Sequence, residues 1–282
     1  SNAPRPAAAT TGRVMTYDFF DCEVRDGVAT LSLFGPSAPS LQELGDELVD
    51  ALLRLQEDRA ARVILLSDGG GPFDTAMDLR AAAEAQAGDA GMGTVAADLD
   101  TIRRVVTLMQ ELGKPIVAAV AGDVRDSGFG LVMAADVRLA AATATFTTQD
   151  MRLGLLPDWG LTSTLPRAIG PNRALDVLWS GRTLSADEAS RLGLLDRVFT
   201  PQEFEQEVEA YCRRLAGIPQ PALRLSKLAV QQSSEFDLTT MLSLEYEAQQ
   251  QCWDSRETTA GLMAGLDGDD PDFGIPGSED DD

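Results

Sequence analysis

The apolar and polar positions divide the chain into short strands alternating with longer helices. Residues 19–24 and 28–33 (VATLSL) read as a hairpin about Arg25-Asp26-Gly27, with period-two alternation in its second strand. From Ser40, SLQELGDELVDALLRLQED repeats its apolar positions at three and four residues, and Ser40 with Glu43 makes a capping-box pattern. RVILLS (62–67) and IVAAV (116–120) are short, continuous apolar runs of the kind buried on both faces of a parallel sheet. Between them lie a glycine-rich loop (DGGGPFDTAMD, 68–78) and an Ala- and Gly-rich stretch without clear period (81–94), read as a weak helix or a loop. An amphipathic helix over 95–112, stopped by Gly113, completes this region. Residues 137–140 and 145–147 then predict strands, and 159–169 and 173–179 predict helices. Ser185 to Glu188 caps a helix that stops at Gly193, and Thr200-Pro-Gln-Glu203 caps the next. From there to about Leu266 the pattern is mostly helical. Strands alternating with helices, then a helical last third, predict an α/β core of parallel strands with a helical C-terminal extension.

Composition narrows the chemistry. The chain has no histidine, so Ser-His-Asp and Cys-His triads, HExxH zinc sites and every imidazole acid–base mechanism are excluded. Proton transfer must use Asp, Glu, Tyr, Lys, Cys or water. A net charge of −22 makes nucleic acid and anionic membrane surfaces poor partners. No apolar run approaches the length of a membrane span. Three scattered cysteines, Cys22, Cys212 and Cys252, argue against a disulfide framework and fit a reducing cytoplasm. The expected organisation is an expression remnant and disordered lead-in over 1–15, an α/β core over 16–210, a helical region over 211–266 and a solvated acidic tail over 267–282.

The chemistry concentrates between Lys114 and Gly160. KPIVAAVAGDVRDSGFG reads as a strand, a loop and the start of a helix, and a helix N-terminus presents N–H groups to a developing negative charge. Two carboxylates, Asp150 and Asp158, flank the LGLLP run that follows, either of them able to move a proton. A second loop, 73–78, also follows a buried strand. With the two strands parallel, both loops leave the same end of the sheet, and one N–H from each can converge on a single oxygen. DGGGP lacks the spacing of a nucleotide phosphate loop.

PFDTAMDLR, KPIVAAVAGDVRDSGFGLVMAADVRLA, FTTQDMRLGLLPDWGLTSTLPRAIG and LSADEASRLGLLDRVF, in this order, resemble the enoyl-CoA hydratase/isomerase (crotonase) family. The resemblance runs from about Phe20 to Phe273. It implies a spiral of ββα turns, with a C-terminal helical region that builds homotrimers, often paired as hexamers. It implies thioester substrates, on coenzyme A or on a carrier-protein arm, with coenzyme A as part of the substrate and no other cofactor or metal. The thioester oxygen would be held by the N–H groups of Met77 and Ser127, Ser127 standing where the family usually has glycine. Of the two glutamates that hydratases of the family use, the first falls on Gly130 and the second on Asp150; a position used by some isomerases falls on Asp158. Phe73, Ala76, Arg80, Arg125, Phe129 and Trp159 are the expected substrate-binding residues, and Arg80, Arg224 and Lys227 the candidates to offset coenzyme A phosphates.

Each candidate has a structural alternative. Asp158 follows Pro157 and can be a helix N-cap; Asp150 can be a turn or surface ion pair. Arg125 and Asp126 can pair with charges at a pocket rim, and Phe129 and Trp159 can be core. The expected reaction is enoyl isomerisation by one carboxylate. The runner-up is hydration, with decarboxylation, thioester hydrolysis and a catalytically weak thioester-binding protein as further alternatives.

Overall fold

The computed structural model describes residues 12–33, 41–69, 71–74, 91–269, 271 and 273, with the backbone alone for 91–98. Strand β1 (Arg13–Thr16) pairs antiparallel with β2 (Phe20–Arg25), and β2 with β3 (Val28–Leu33). Asp26 and Gly27 both take positive φ (48° and 79°), which is the two-residue turn whose twist matches a hairpin. Residues 13–15 therefore belong to a strand rather than to a disordered lead-in: Met15 pairs with Cys22, and Arg13 reaches Asp58 at 2.5 Å.

From β3 the large sheet continues in parallel through β4 (Val63–Ser67), β6 (Ile116–Val120), β8 (Val137–Ala141) and β11 (Arg197–Phe199). A small sheet takes the strands that follow each of these: β5 (Phe73–Asp74), β7 (Asp123–Arg125) and β9 (Thr145–Thr147) run parallel, and β10 (Leu184–Ser185) closes it antiparallel. Each turn of the chain thus gives one strand to each sheet before a helix returns it. This is the ββα spiral that the resemblance implies. Of the very short strands of the small sheet, β9 stands where the pattern predicts a strand, while β5, β7 and β10 carried no periodicity of their own to announce them.

Helices α1 (Leu41–Glu57) and α2 (Gly91–Glu111) cover one face of the large sheet. Ser40 of the expected capping box lies outside the described residues. Next along the chain come α3 (Asp126–Ala134), α4 (Leu161–Ile169), α5 (Pro171–Ser180) and α6 (Ala186–Leu192). Ser185 accepts from the Glu188 N–H, and Gly193 closes α6 at φ 93°, both as the pattern predicts. The opposite face carries α7 (Phe204–Ala216). It starts at Phe204 because the Thr200 hydroxyl bonds the Glu203 side chain (2.6 Å) instead of capping a first turn. Strand β4 explains its unbroken apolar run. Ile64 and Leu66 enter the main core, while Val63 and Leu65 pack under α7 with Phe204, Val208 and Cys212. The three cysteines are free thiols; burial pushes Cys22 up to about 11 and Cys212 up to about 12.

The last helices are α8 (Gln220–Gln232), α9 (Leu238–Trp253) and α10 (Arg256–Asp267). Neither α9 nor α10 has a buried residue. Of the expected acidic tail, Phe273 is held against the core. Arg62 donates to both the Ala216 and Phe273 carbonyls (3.0 and 3.2 Å).

Candidate active site

Three short strands of the small sheet stand in register. In the small sheet Phe73 pairs with Val124, which pairs with Phe146; Asp74 pairs with Arg125, which pairs with Thr147. Because these strands are parallel, Asp74, Arg125 and Thr147 stand at the same end of the small sheet. Behind them, the buried Asp68 at the end of β4 accepts the N–H groups of Ala121 and Gly122 at the end of β6 (2.6 and 3.1 Å). One carboxylate therefore ties together the roots of both candidate oxyanion loops. Nothing in the sequence marked Asp68 for this, since an aspartate before glycines reads as an ordinary turn residue.

Met77, Ala76 and Arg80 lie outside the described residues. Ser127 is buried in the first turn of α3, where a backbone N–H has no intrahelical acceptor. The N-cap residue, Arg125, makes no side-chain cap. Asp126 takes φ 43° and turns its side chain away, so that Oδ1 accepts the Gln149 N–H at 2.6 Å. This bond draws the 148–150 segment to the open end of α3.

Asp150 begins a 3-10 turn (Asp150–Leu153) and is 8% exposed. Its Oδ2 accepts the Thr148 hydroxyl at 2.8 Å. Burial raises its pKa, the Thr148 bond opposes the rise, and the Asp126 charge adds to it.

Asp158 is not a helix cap. Trp159 and Gly160 both take positive φ (50° and 73°), so α4 starts at Leu161 with Gly160 as N-cap. The Asp158 carboxylate points instead to α3: Oδ2 accepts the Ser127 hydroxyl at 3.1 Å, and Oδ1 is buried with no hydrogen-bond partner. Its pKa is pushed up to about 6, by burial first, against the Ser127 bond and with the Asp150 and Asp126 charges adding to the rise. Among the described residues, the charges that act on it are those of Asp150 and Asp126. A group in this state takes up and releases a proton near neutral pH.

Gly130 shows why the first glutamate position is empty of chemistry. A Cβ there would stand 2.5 Å from the Trp159 Cβ and 2.8 Å from the Asp158 carbonyl oxygen. The 158–159 turn occupies the space a side chain would need. Among the described residues no three His, Cys, Asp or Glu side chains are placed to hold a metal ion.

The remaining candidates divide. Phe73, Phe129 and Trp159 sit in the core, Phe129 against Phe146 with ring centroids 5.7 Å apart. The Trp159 Nε1 is buried without a partner. Arg125 is exposed and paired with Asp123 at 2.7 Å, the rim pairing expected as its alternative. Lys227 is not a phosphate contact. Its ammonium is buried among Asp136 Oδ2 (2.8 Å) and the carbonyls of Met109 (2.8 Å) and Lys114 (3.0 Å), where it docks α8 onto the core. Arg224 is exposed and donates to Gln251 at 3.4 Å.

The α/β spiral thus sets a helix N-terminus without a side-chain cap beside two buried carboxylates, Asp150 and Asp158. The chain belongs to the enoyl-CoA hydratase/isomerase family, whose sequence model matches residues 23–275. It is 29% identical over 257 residues to a crotonyl-CoA hydratase of Syntrophomonas wolfei subsp. wolfei, covering 90% of this chain and 96% of that protein. It is 33% identical to a 4-chlorobenzoyl coenzyme A dehalogenase-2 of Arthrobacter sp., covering 80% and 82%. Among solved structures, an enoyl-CoA hydratase/isomerase of Cupriavidus metallidurans CH34 superposes with a TM-score of 0.81 at 31% identity, covering 91% of this chain and 96% of that one. The crotonase family and fold expected from the four motifs are thus shown.

Proposed function

We propose that this enzyme is an acyl-thioester isomerase, with coenzyme A or a carrier arm holding the substrate. The observation that carries the reading is Asp158: one oxygen held by Ser127, the other unpartnered, and a pKa near 6. Oδ1 removes a proton from the carbon alpha to the thioester. The C–H electron pair passes into the enolate, whose oxygen is held by the Ser127 N–H and, from the other loop, the Met77 N–H. The same carboxyl returns the proton at the gamma carbon, and the double bond moves one position. One carboxylate suffices for this cycle, so a glycine at 130 is no obstacle.

Hydration is the second reading, favoured by the hydratase named above and by the electrostatic coupling of Asp150 to Asp158. It needs one group to activate water and another to donate a proton, so the two carboxylates would divide those roles. The test is to offer 2-enoyl and 3-enoyl thioesters in deuterated water, with Asp158→Asn and Asp150→Asn alongside. Migration of the 3-enoyl double bond with deuterium entering at the gamma carbon, lost in Asp158→Asn, is expected. A 3-hydroxy product would put hydration first, and no turnover of any thioester would leave a binding protein.

The exposed apolar residues of α9 and α10 support a homotrimer, alone or paired as a hexamer. Leu238, Leu242, Tyr246 and Trp253 fall on one face of α9, and that face is open in the single chain.

A further inference from the structure

We propose that the Ser127 hydroxyl is a positioning group for the acid–base carboxylate, holding Oδ2 of Asp158 so that Oδ1 is the oxygen that exchanges the substrate proton. The proposal rests on Asp158 being the proton shuttle.

The argument starts from what serine adds at this position. Any residue at 127 supplies the backbone N–H of the helix first turn. Serine adds only Oγ, and the partner of that oxygen is Asp158 Oδ2 at 3.1 Å, thirty-one residues away in the chain. The residue is buried, so water does not compete for the bond. The carboxylate is otherwise fixed through its backbone, with the Leu161 N–H on its carbonyl at 3.0 Å and the 158–159 turn seated on Gly130. With Oδ2 held, rotation of the carboxyl that would exchange the two oxygens is opposed.

Electrostatics gives the hydroxyl a second effect. Among the described residues, the charged groups that act on Asp158 are Asp150 from the 3-10 turn and Asp126 from α3, and both disfavour its ionised form. Burial does the same. The Ser127 hydroxyl is the largest contact that favours the carboxylate. Without it Asp158 would keep its proton further into the neutral range and be a base in a smaller fraction of molecules. Ser127 therefore acts twice from one Cα: its N–H toward the enolate oxygen, its O–H toward the base. Removing only the O–H separates the two.

The test compares wild type with Ser127→Ala, Ser127→Gly and Ser127→Thr. Asp158 is titrated directly by carbon NMR in protein labelled at aspartate carboxyls, with Asp158→Asn identifying the signal. In parallel the pH profile of kcat/KM is recorded on a 3-enoyl-CoA. In Ser127→Ala the Asp158 midpoint is expected to move up by about one pH unit, a tenfold change in proton affinity. The acid limb of the profile moves with it, and Ser127→Thr restores both. Ser127→Gly gives the same answer should the alanine variant fail to fold. An unmoved midpoint in both hydroxyl-free variants overturns the proposal. A midpoint that moves in protein that turns over no 3-enoyl thioester overturns the isomerase reading instead, and leaves the hold of Ser127 on Asp158 standing.

Discussion

Trp159 fills the space that a side chain on Gly130 would need, its Cβ lying 2.5 Å from where a Cβ on Gly130 would be. Position 130, which the resemblance matches to a hydratase glutamate, is therefore closed by the backbone turn that carries Asp158. Gly130→Glu is expected to destabilise the fold by about 3 kcal/mol or more, since overpacking alone costs about 1–3 kcal/mol and a buried charge adds to it. It is also expected not to raise water addition. Denaturant unfolding and assay of a 2-enoyl thioester check both; a stable Gly130→Glu protein with new hydratase activity would refute the steric account.

Asp158 should cost stability while serving chemistry. Its pKa is about 6 in the fold against the ordinary 3.8, so between those values the folded state holds more protons than the unfolded one. Stability therefore falls as pH rises from about 4 to about 6 and loses nothing further from this group above that. The difference corresponds to roughly 3 kcal/mol at about 1.4 kcal/mol per pH unit, an order of magnitude only. Asp158→Asn should raise the melting temperature at pH 7.5, by less than that full amount because the new amide is itself incompletely bonded. The same variant should lower kcat by about a hundredfold or more. Melting curves from pH 4 to 8 with kcat at pH 7.5 test both; a variant less stable than wild type above pH 6 contradicts the first.

Lys227 should matter to folding and not to substrate affinity. Its side chain is 7% exposed and its pKa is lowered by burial despite Asp136. Lys227→Ala leaves the Asp136 carboxylate without its cation, which costs about 3–5 kcal/mol. Urea unfolding should show that loss while KM for a thioester, measured where the variant is folded, stays within about twofold. A large rise in KM with unchanged stability would return Lys227 to the role of phosphate contact.

The open face of α9 should be an assembly surface. Leu242→Glu with Trp253→Glu would place charges on side chains that are 55% and 65% exposed in the single chain, and so should leave the protomer folded. Sedimentation should show a trimer or hexamer in wild type and monomer in the double variant. A wild-type monomer would contradict the homotrimer reading.

Much of this was legible in the sequence because it follows from periodicity and end signals. The β2–β3 hairpin, the both-face burial of β4 and β6, and the Ser185 cap each depend on residues close in the chain. What escaped depends on contacts between distant residues. Pro157-Asp158 looked like a helix start, yet two successive positive φ values delay α4 to Leu161 and free the carboxylate for Ser127. Lys227 looked like a surface cation until α8 carried it against Asp136. Asp68 looked like a turn residue until the end of β6 came beside it. In each case the local pattern was read correctly for an isolated segment, and a partner from another turn of the spiral changed its meaning.

The small sheet has one more consequence. Val124 is held between Phe73 and Phe146, and all three are buried. A slip of one residue in β7 would put Val124 on the opposite face and leave the aromatic pair without its partner. The anchoring residues are thus separate from the candidate site residues. Ser127, Asp150 and Asp158 lie outside the strands of the small sheet and can be exchanged while the anchors keep their aim. A scaffold of this kind can change its reaction by replacing side chains at fixed addresses without redesigning its core.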